Sequence, residues 1–148
     1  MAFTFTADSV GSTLQTGTVS IEVSPSSGVL TETMVPGDSA SAVVNVSNTG
    51  DVDEFYFVTV DWKPSGTTTE SLAALLAYNL NVSVSTDTVS LYTGKLNGLI
   101  DRPDSPGREL SLTTAEEDVT FDFFLPTDVG NAVQGIDVEI DFIFVATS

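Results

Sequence analysis

Twenty-one acidic residues stand against four basic ones, and histidine and cysteine are both absent. Chemistry is therefore limited to carboxylates, hydroxyls, amides, aromatic rings and the four basic side chains. Asp51, Asp53 and Glu54 form one acidic group, and Glu116, Glu117 and Asp118 form another. Carboxylates can hold hard cations such as Ca²⁺ or Mg²⁺, but no Asp-x-Asp-x-Asp-Gly loop accompanies these. Without imidazole or thiolate, the usual zinc sites, a cysteine nucleophile and a histidine base are excluded. A carboxylate pair for glycoside hydrolysis is allowed by residue type, although no motif points to one. Both groups are expected to be solvated surface, and no catalytic residue, metal site or cofactor is expected.

The binding inventory is equally spare. Trp62 is the sole tryptophan. With Tyr56 it falls on the inward phase of its segment, so core packing is its expected role rather than stacking on a sugar; Tyr78 and Tyr92 complete the tyrosines. Asn45-Val46-Ser47 and Asn81-Val82-Ser83 are sequons with asparagine on the outward phase, which makes Asn45 and Asn81 candidate glycosylation acceptors. Arg102 and Arg108 sit in a loop and are expected to form surface pairs of small energetic weight.

The elements that position these residues are strands. At 148 residues the chain is the size of one domain, long enough to bury roughly 70% of the surface exposed when unfolded. Val19, Ile21 and Val23 alternate up to the turn Pro25-Ser26-Ser27-Gly28, and Val29 to Val35 is a shorter extended piece before Pro36-Gly37-Asp38. Ala40, Ala42, Val44 and Val46 share a face. Tyr56, Val58, Val60 and Trp62 share another, with Phe55 and Phe57 opposite, so this strand is expected to be central or covered. Leu72, Leu75, Leu76 and Asn79 recur at helical spacing behind a Thr69 or Ser71 cap, with Glu70 near the helix N-terminus. Leu80, Val82 and Val84 then alternate, and Val89 to Tyr92 forms a hairpin partner. Residues Thr93 to Leu99 read equally as a turn or as one helical turn.

Glu109 to Leu112 is a short strand and Thr113 to Asp118 an acidic turn. Val119, Phe121, Phe123 and Leu125 alternate up to Pro126, Thr127 to Gln134 holds one helical turn, and Ile136 to Ala146 gives the longest alternation of all. Roughly eight or nine strands with frequent turns and no βαβ rhythm predict an all-β fold, an antiparallel jelly-roll β-sandwich with one or two short helices.

The formal net charge of −17 argues against nucleic acid or an anionic membrane surface as partner. Repulsion between copies is screened beyond about 8 Å at physiological ionic strength and about 3 Å at 1 M salt, so acidity is compatible with assembly in brine. No apolar run is long enough to span a bilayer. No secretory leader is recognisable ahead of the first strand, so the expectation is either a cytosolic protein or a processed form, and a composition rich in Thr, Ser, Val and Asp favours the second.

Ala2, Phe3, Thr4, Phe5, Thr6 and Ala7 open the chain with a period-2 pattern. Residues Asp8 to Thr16 follow as a polar, glycine-containing tether. Such a strand can pair within its own fold, lie disordered, or add to the sheet of another subunit. Residues 1–16 are accordingly divided from a jelly-roll domain at 17–148.

Three stretches carry a family resemblance. The first is Met34-Val35-Pro36-Gly37-Asp38-Ser39 with Val44-Asn45-Val46-Ser47-Asn48-Thr49-Gly50. The second is Leu91-Tyr92-Thr93-Gly94-Lys95-Leu96. The third, and the most specific, runs Leu125-Pro126-Thr127-Asp128-Val129-Gly130-Asn131-Ala132-Val133-Gln134-Gly135 into the terminal strand. In this order they resemble the TasA/camelysin family of secreted bacterial and archaeal matrix-fibre proteins. The resemblance implies an exported subunit of an extracellular filament or biofilm matrix, trimmed of its signal peptide and polymerising by donor-strand complementation. Ala2 to Ala7 would then be the donor strand, with Phe3 and Phe5 filling a neighbour's core and Thr4 and Thr6 facing away. Copies of the chain itself are the implied partners, with divalent cations and glycans as further candidates. The metalloprotease label attached to camelysin finds no histidine to support it here, and the scarcity of lysine points to a salt-adapted, halophilic relative. The alternative expectation is a monomeric secreted β-sandwich that binds carbohydrate or a cell surface.

Overall fold

The computed structural model describes residues 2–10, 13–14, 17–24, 30–33, 36–128, 136 and 138–147, with side chains for 19–24, 36–128, 136 and 138–147. Its strands are β1 (Ala2–Val10), β2 (Thr13–Leu14), β3 (Gly17–Thr18), β4 (Ile21–Ser24), β5 (Leu30–Thr33), β6 (Ser39–Asn48), β7 (Glu54–Pro64), β8 (Asn81–Ser85), β9 (Ser90–Lys95), β10 (Arg108–Leu110), β11 (Glu116–Phe124) and β12 (Val138–Thr147). Two five-stranded sheets result, ordered β10-β7-β12-β1-β5 and β4-β6-β11-β8-β9, while β2 and β3 pair separately. From β4 to β8 each strand crosses to the opposite sheet, which is the winding of the expected jelly-roll sandwich. The strand count exceeds the expected eight or nine because the two-residue pieces β2 and β3 carry too few residues to show a period.

Alternation explains the core. Val44 and Val46 of β6, Tyr56, Val58 and Val60 of β7, Phe121 and Phe123 of β11, and Ile140, Phe142 and Phe144 of β12 are all buried between the sheets. Phe121 stacks on Phe142 at 4.2 Å between ring centroids and meets Phe144 edge-on at 6.1 Å, and Tyr56 lies 5.9 Å from Phe144. Offset and edge-to-face rings of this kind contribute about 0.5–1.5 kcal/mol per pair beyond the area they bury. The centre of the sandwich is thus an aromatic cluster drawn from β7, β11 and β12.

The one α-helix among the described residues, α1 (Glu70–Asn79), is capped by Thr69, whose hydroxyl accepts from Leu72 N at 3.3 Å. Its buried face differs from the expected one. Ala73, Leu76 and Ala77 are buried, whereas Leu72 and Leu75 are 39% and 37% exposed. Positions 73, 76, 77 and 80 recur at helical spacing just as the leucines do, and the small alanines let the helix backbone approach the sheet where two further leucines would hold it off. The ambiguous stretch after β9 is a 3₁₀ turn, Leu96–Gly98. Here Tyr92 donates its hydroxyl to Lys95 O at 2.6 Å, and Gly94 and Gly98 leave the space its ring occupies, since a Cβ on Gly94 would lie 2.6 Å from that hydroxyl. The turn Pro36-Gly37-Asp38 is as expected: Gly37 has φ +97° and donates to Leu125 O at 2.6 Å, while Leu125 N donates to Asp38 O at 3.0 Å.

Two expectations are corrected. Glu116, Glu117 and Asp118 are not a turn but the first residues of β11, paired with Ser47, Val46 and Asn45 of β6. Arg108 pairs with an acid as expected, but from β10 and largely covered: it clamps Glu117 with Nε at 3.0 Å and Nη2 at 2.9 Å, whereas Arg102 pairs with Asp104 at 2.9 Å at the exposed surface, as expected. The helical turn expected within Thr127 to Gln134 falls mostly outside the described residues.

Candidate functional site

The site begins with β12, the strand of longest alternation. Ile140, Phe142 and Phe144 fix one of its faces in the core, and β7 pairs antiparallel with one edge from Val138↔Pro64 to Thr147↔Phe55. A strand with one edge paired still presents a row of donors and acceptors on the other. That edge is filled by β1, which runs parallel to β12 from Phe3↔Val138 to Val10↔Val145. On its far side β1 receives β5 antiparallel over Ala2↔Thr33 to Phe5↔Leu30. Among the described pairings β1 with β12 is the one parallel neighbour, and β5 joins its sheet through β1. Removing β1 would open a slot beside β12 and detach β5.

Ala2 to Ala7, the expected donor strand, therefore lie in an interior position of the sheet, and in the single chain the slot is filled by the chain's own strand. Phe3 and Phe5 are register partners of Val138 and Ile140, both buried, while Thr4 and Thr6 are partners of Glu139 and Asp141 on the outward phase of β12. The strand is longer than expected, because Asp8, Ser9 and Val10 continue the ladder opposite Ile143, Phe144 and Val145. The tether is correspondingly shorter, and part of it, Thr13–Leu14, pairs with Gly17–Thr18. Residues 11, 12, 15 and 16 lie outside the described residues.

The acidic groups are dispersed in role. Asp53 Oδ1 accepts from Leu112 N at 2.8 Å and Asp118 Oδ1 from Asn45 Nδ2 at 3.1 Å. Glu117 Oε1 accepts from the buried Tyr56 hydroxyl at 2.6 Å as well as from Arg108, so one carboxylate ties β7, β10 and β11 together. Burial, and then the hydrogen bond to Glu117, push the Tyr56 phenol well above its ordinary value, while the Glu117 bond holds Arg108 above its own. Glu54, expected on the surface, is instead completely buried. Its Oε1 accepts from Ser20 N at 2.5 Å, and burial raises its pKa against the lowering effect of that bond. Among the described residues no group of three or more acids is placed to hold a metal ion, and no helix is long and apolar enough to cross a membrane.

Of the other candidates, Asn45 sits outward on β6, half-buried and bonded to Asp118, and Asn81 sits outward at the start of β8. Trp62 packs against the core only in part and borders a groove with Lys63, Glu70, Ala73 and Ala74, between β7 and α1. Not legible in the sequence are the β12 edge as the neighbour of β1 and β5 as the strand on its other side. The signal for the first was present in the length of the final alternation, whereas nothing local marks a parallel partner nearly a full chain length away. No protein-family model matches the chain, and no curated protein matches it.

Proposed function

We propose that this chain is a structural subunit of an extracellular filament or matrix fibre, in which β1 of one copy fills the slot beside β12 of the next. The observation that carries this reading is the interior, parallel position of β1 between β12 and β5. A strand held in such a position by its two ladders is exchangeable. An incoming copy can make the same ladder and bury the same surface, so the swap is close to neutral in contact energy. Burial of two phenylalanines would contribute about 1.5–3 kcal/mol each, and ladder bonds about 1 kcal/mol each. These terms, and the ordering cost of roughly 1–2 kcal/mol per residue, are the same in both arrangements and cancel, whereas association costs translational freedom. Contacts between subunit bodies must therefore add to the strand. Because donor and slot are different surfaces, the contact is heterologous and extends without closing.

On this reading the chain is a TasA/camelysin-type protein, is not an enzyme, acts outside the cell, and has copies of itself as its main partners. The net charge of −17 makes assembly salt-dependent, because repulsion between subunits has to be screened. The test is negative-stain microscopy of the full chain and of a variant lacking residues 1–10, across a salt series. The full chain is expected to form filaments more readily as salt rises, and the truncated chain to form none. Filaments of normal geometry from the truncated chain would overturn the reading.

A further inference from the structure

The solvent face of the second sheet carries a groove. Phe123 and Phe124 are consecutive in β11 and so project to opposite faces: Phe123 is buried in the core and Phe124 is 43% exposed. Across the strands, Phe124 stands in a row between Ser39 of β6 and Asn81 of β8. In the next row Asp122 stands between Ser41 and Ser83, with Thr93 of β9 beyond. Together these side chains line a groove of about 460 Å³, within the ~300–1,000 Å³ range of small-molecule sites.

The lining specifies the chemistry of the occupant. Hydroxyls and an amide both donate and accept, which matches a ligand whose own groups do the same. Ser41 Oγ donates to Asp122 Oδ1 at 2.6 Å, which fixes the carboxylate and leaves its second oxygen to accept from a ligand hydroxyl. The negative face of the Phe124 ring favours contact with polarised C–H groups, such as those on the apolar side of a pyranose. No lysine or arginine lines the groove, and Asp122 within a chain of net charge −17 repels anions. An extended peptide is also disfavoured. It binds by adding to a strand edge, whereas β6, β11 and β8 are each paired on both sides here.

We propose that this groove binds a neutral polysaccharide, with Phe124 stacking on a sugar ring and Asp122, Asn81 and the flanking hydroxyls bonding to its hydroxyl groups. The inference does not depend on strand exchange, because β1 lies in the other sheet.

Isothermal titration calorimetry of the full chain with cellohexaose, xylohexaose, mannohexaose and laminarihexaose tests it, with hexagalacturonate as the charged control. At least one neutral hexasaccharide is expected to bind, Phe124→Thr to weaken it at least tenfold, and Asp122→Asn to weaken it several-fold. Both variants should keep the parent's thermal midpoint within a few degrees, since both side chains face solvent. Absence of heat with all four neutral sugars would overturn the proposal. So would an unchanged Kd in Phe124→Thr, or galacturonate binding as tight as that of any neutral sugar. Loss of self-association in Phe124→Thr without any sugar binding would show that the groove receives another copy of the chain, and would overturn it as well.

Discussion

Replacing Glu54 by glutamine probes the one carboxyl that is completely buried among the described residues. Oε1 accepts from Ser20 N at 2.5 Å, joining the approach to β4 with the start of β7, and Oε2 has no hydrogen-bond partner among the described residues. Burial raises the pKa above the ordinary 4.5. The folded chain therefore holds this proton more tightly than the unfolded chain does. Above pH 4.5, and up to the folded value, the folded state binds more protons than the unfolded state. The contribution of Glu54 to stability is thus complete below the unfolded pKa and is lost as pH rises through the folded one. A single group limits the slope to one proton, about 1.4 kcal/mol per pH unit.

Glutamine keeps an oxygen for Ser20 N and is neutral at every pH, so it removes this slope. Its amide hydrogens lack an acceptor, which adds a constant penalty of about 1–3 kcal/mol. Urea unfolding of parent and variant between roughly pH 4 and pH 8 yields the difference curve, in which the remaining carboxylates cancel. The variant should gain on the parent as pH rises through the window and then run level with it. Parallel curves, or a variant that loses ground as pH rises, would refute the assignment of a raised pKa to Glu54.

Other perturbations follow from the same packing. Tyr56→Phe removes one bond to a carboxylate that Arg108 still holds and should cost about 1.5–3 kcal/mol in urea unfolding. Glu117→Ala leaves the Tyr56 hydroxyl and the Arg108 guanidinium without their partner and should cost more, about 3 kcal/mol or above; the double variant should cost less than the sum of the singles. Gly94→Ala drives a Cβ into the Tyr92 hydroxyl, breaks its bond to Lys95 O, and should lower stability by about 1–3 kcal/mol, with Tyr92→Phe relieving part of the loss.

Much of the sandwich was legible from period alone, because β6, β7, β11 and β12 each bury one face and alternate without interruption. The helix was legible in position and cap but not in its buried face, since Leu72 and Leu75 outrank Ala73 and Ala77 in hydrophobicity while the close approach to the sheet selects the smaller residues. Glu54 and Glu117 were misread as surface because acidic residues in a run look solvated, and only the third dimension brings Ser20, Tyr56 and Arg108 to them. The donor-like pattern of Ala2 to Ala7 was visible in the sequence, but its continuation to Val10 depends on the partner strand. Phe124 is not legible as a surface group for a related reason: alternation marks the inward member of a doublet, Phe123, and says nothing of the outward one.

In the proposed filament β1 pairs with β12 of a neighbouring copy. The chain has no cysteine, and Thr6 and Asp141 are register partners on adjacent strands, a separation compatible with a disulfide. Thr6→Cys combined with Asp141→Cys, oxidised under filament-forming conditions and run on a denaturing gel without reductant, reports which chain each β1 has joined. The expected result is a ladder of covalent multimers that collapses to monomer on reduction. A single band of internally cross-linked monomer from intact filaments would contradict it.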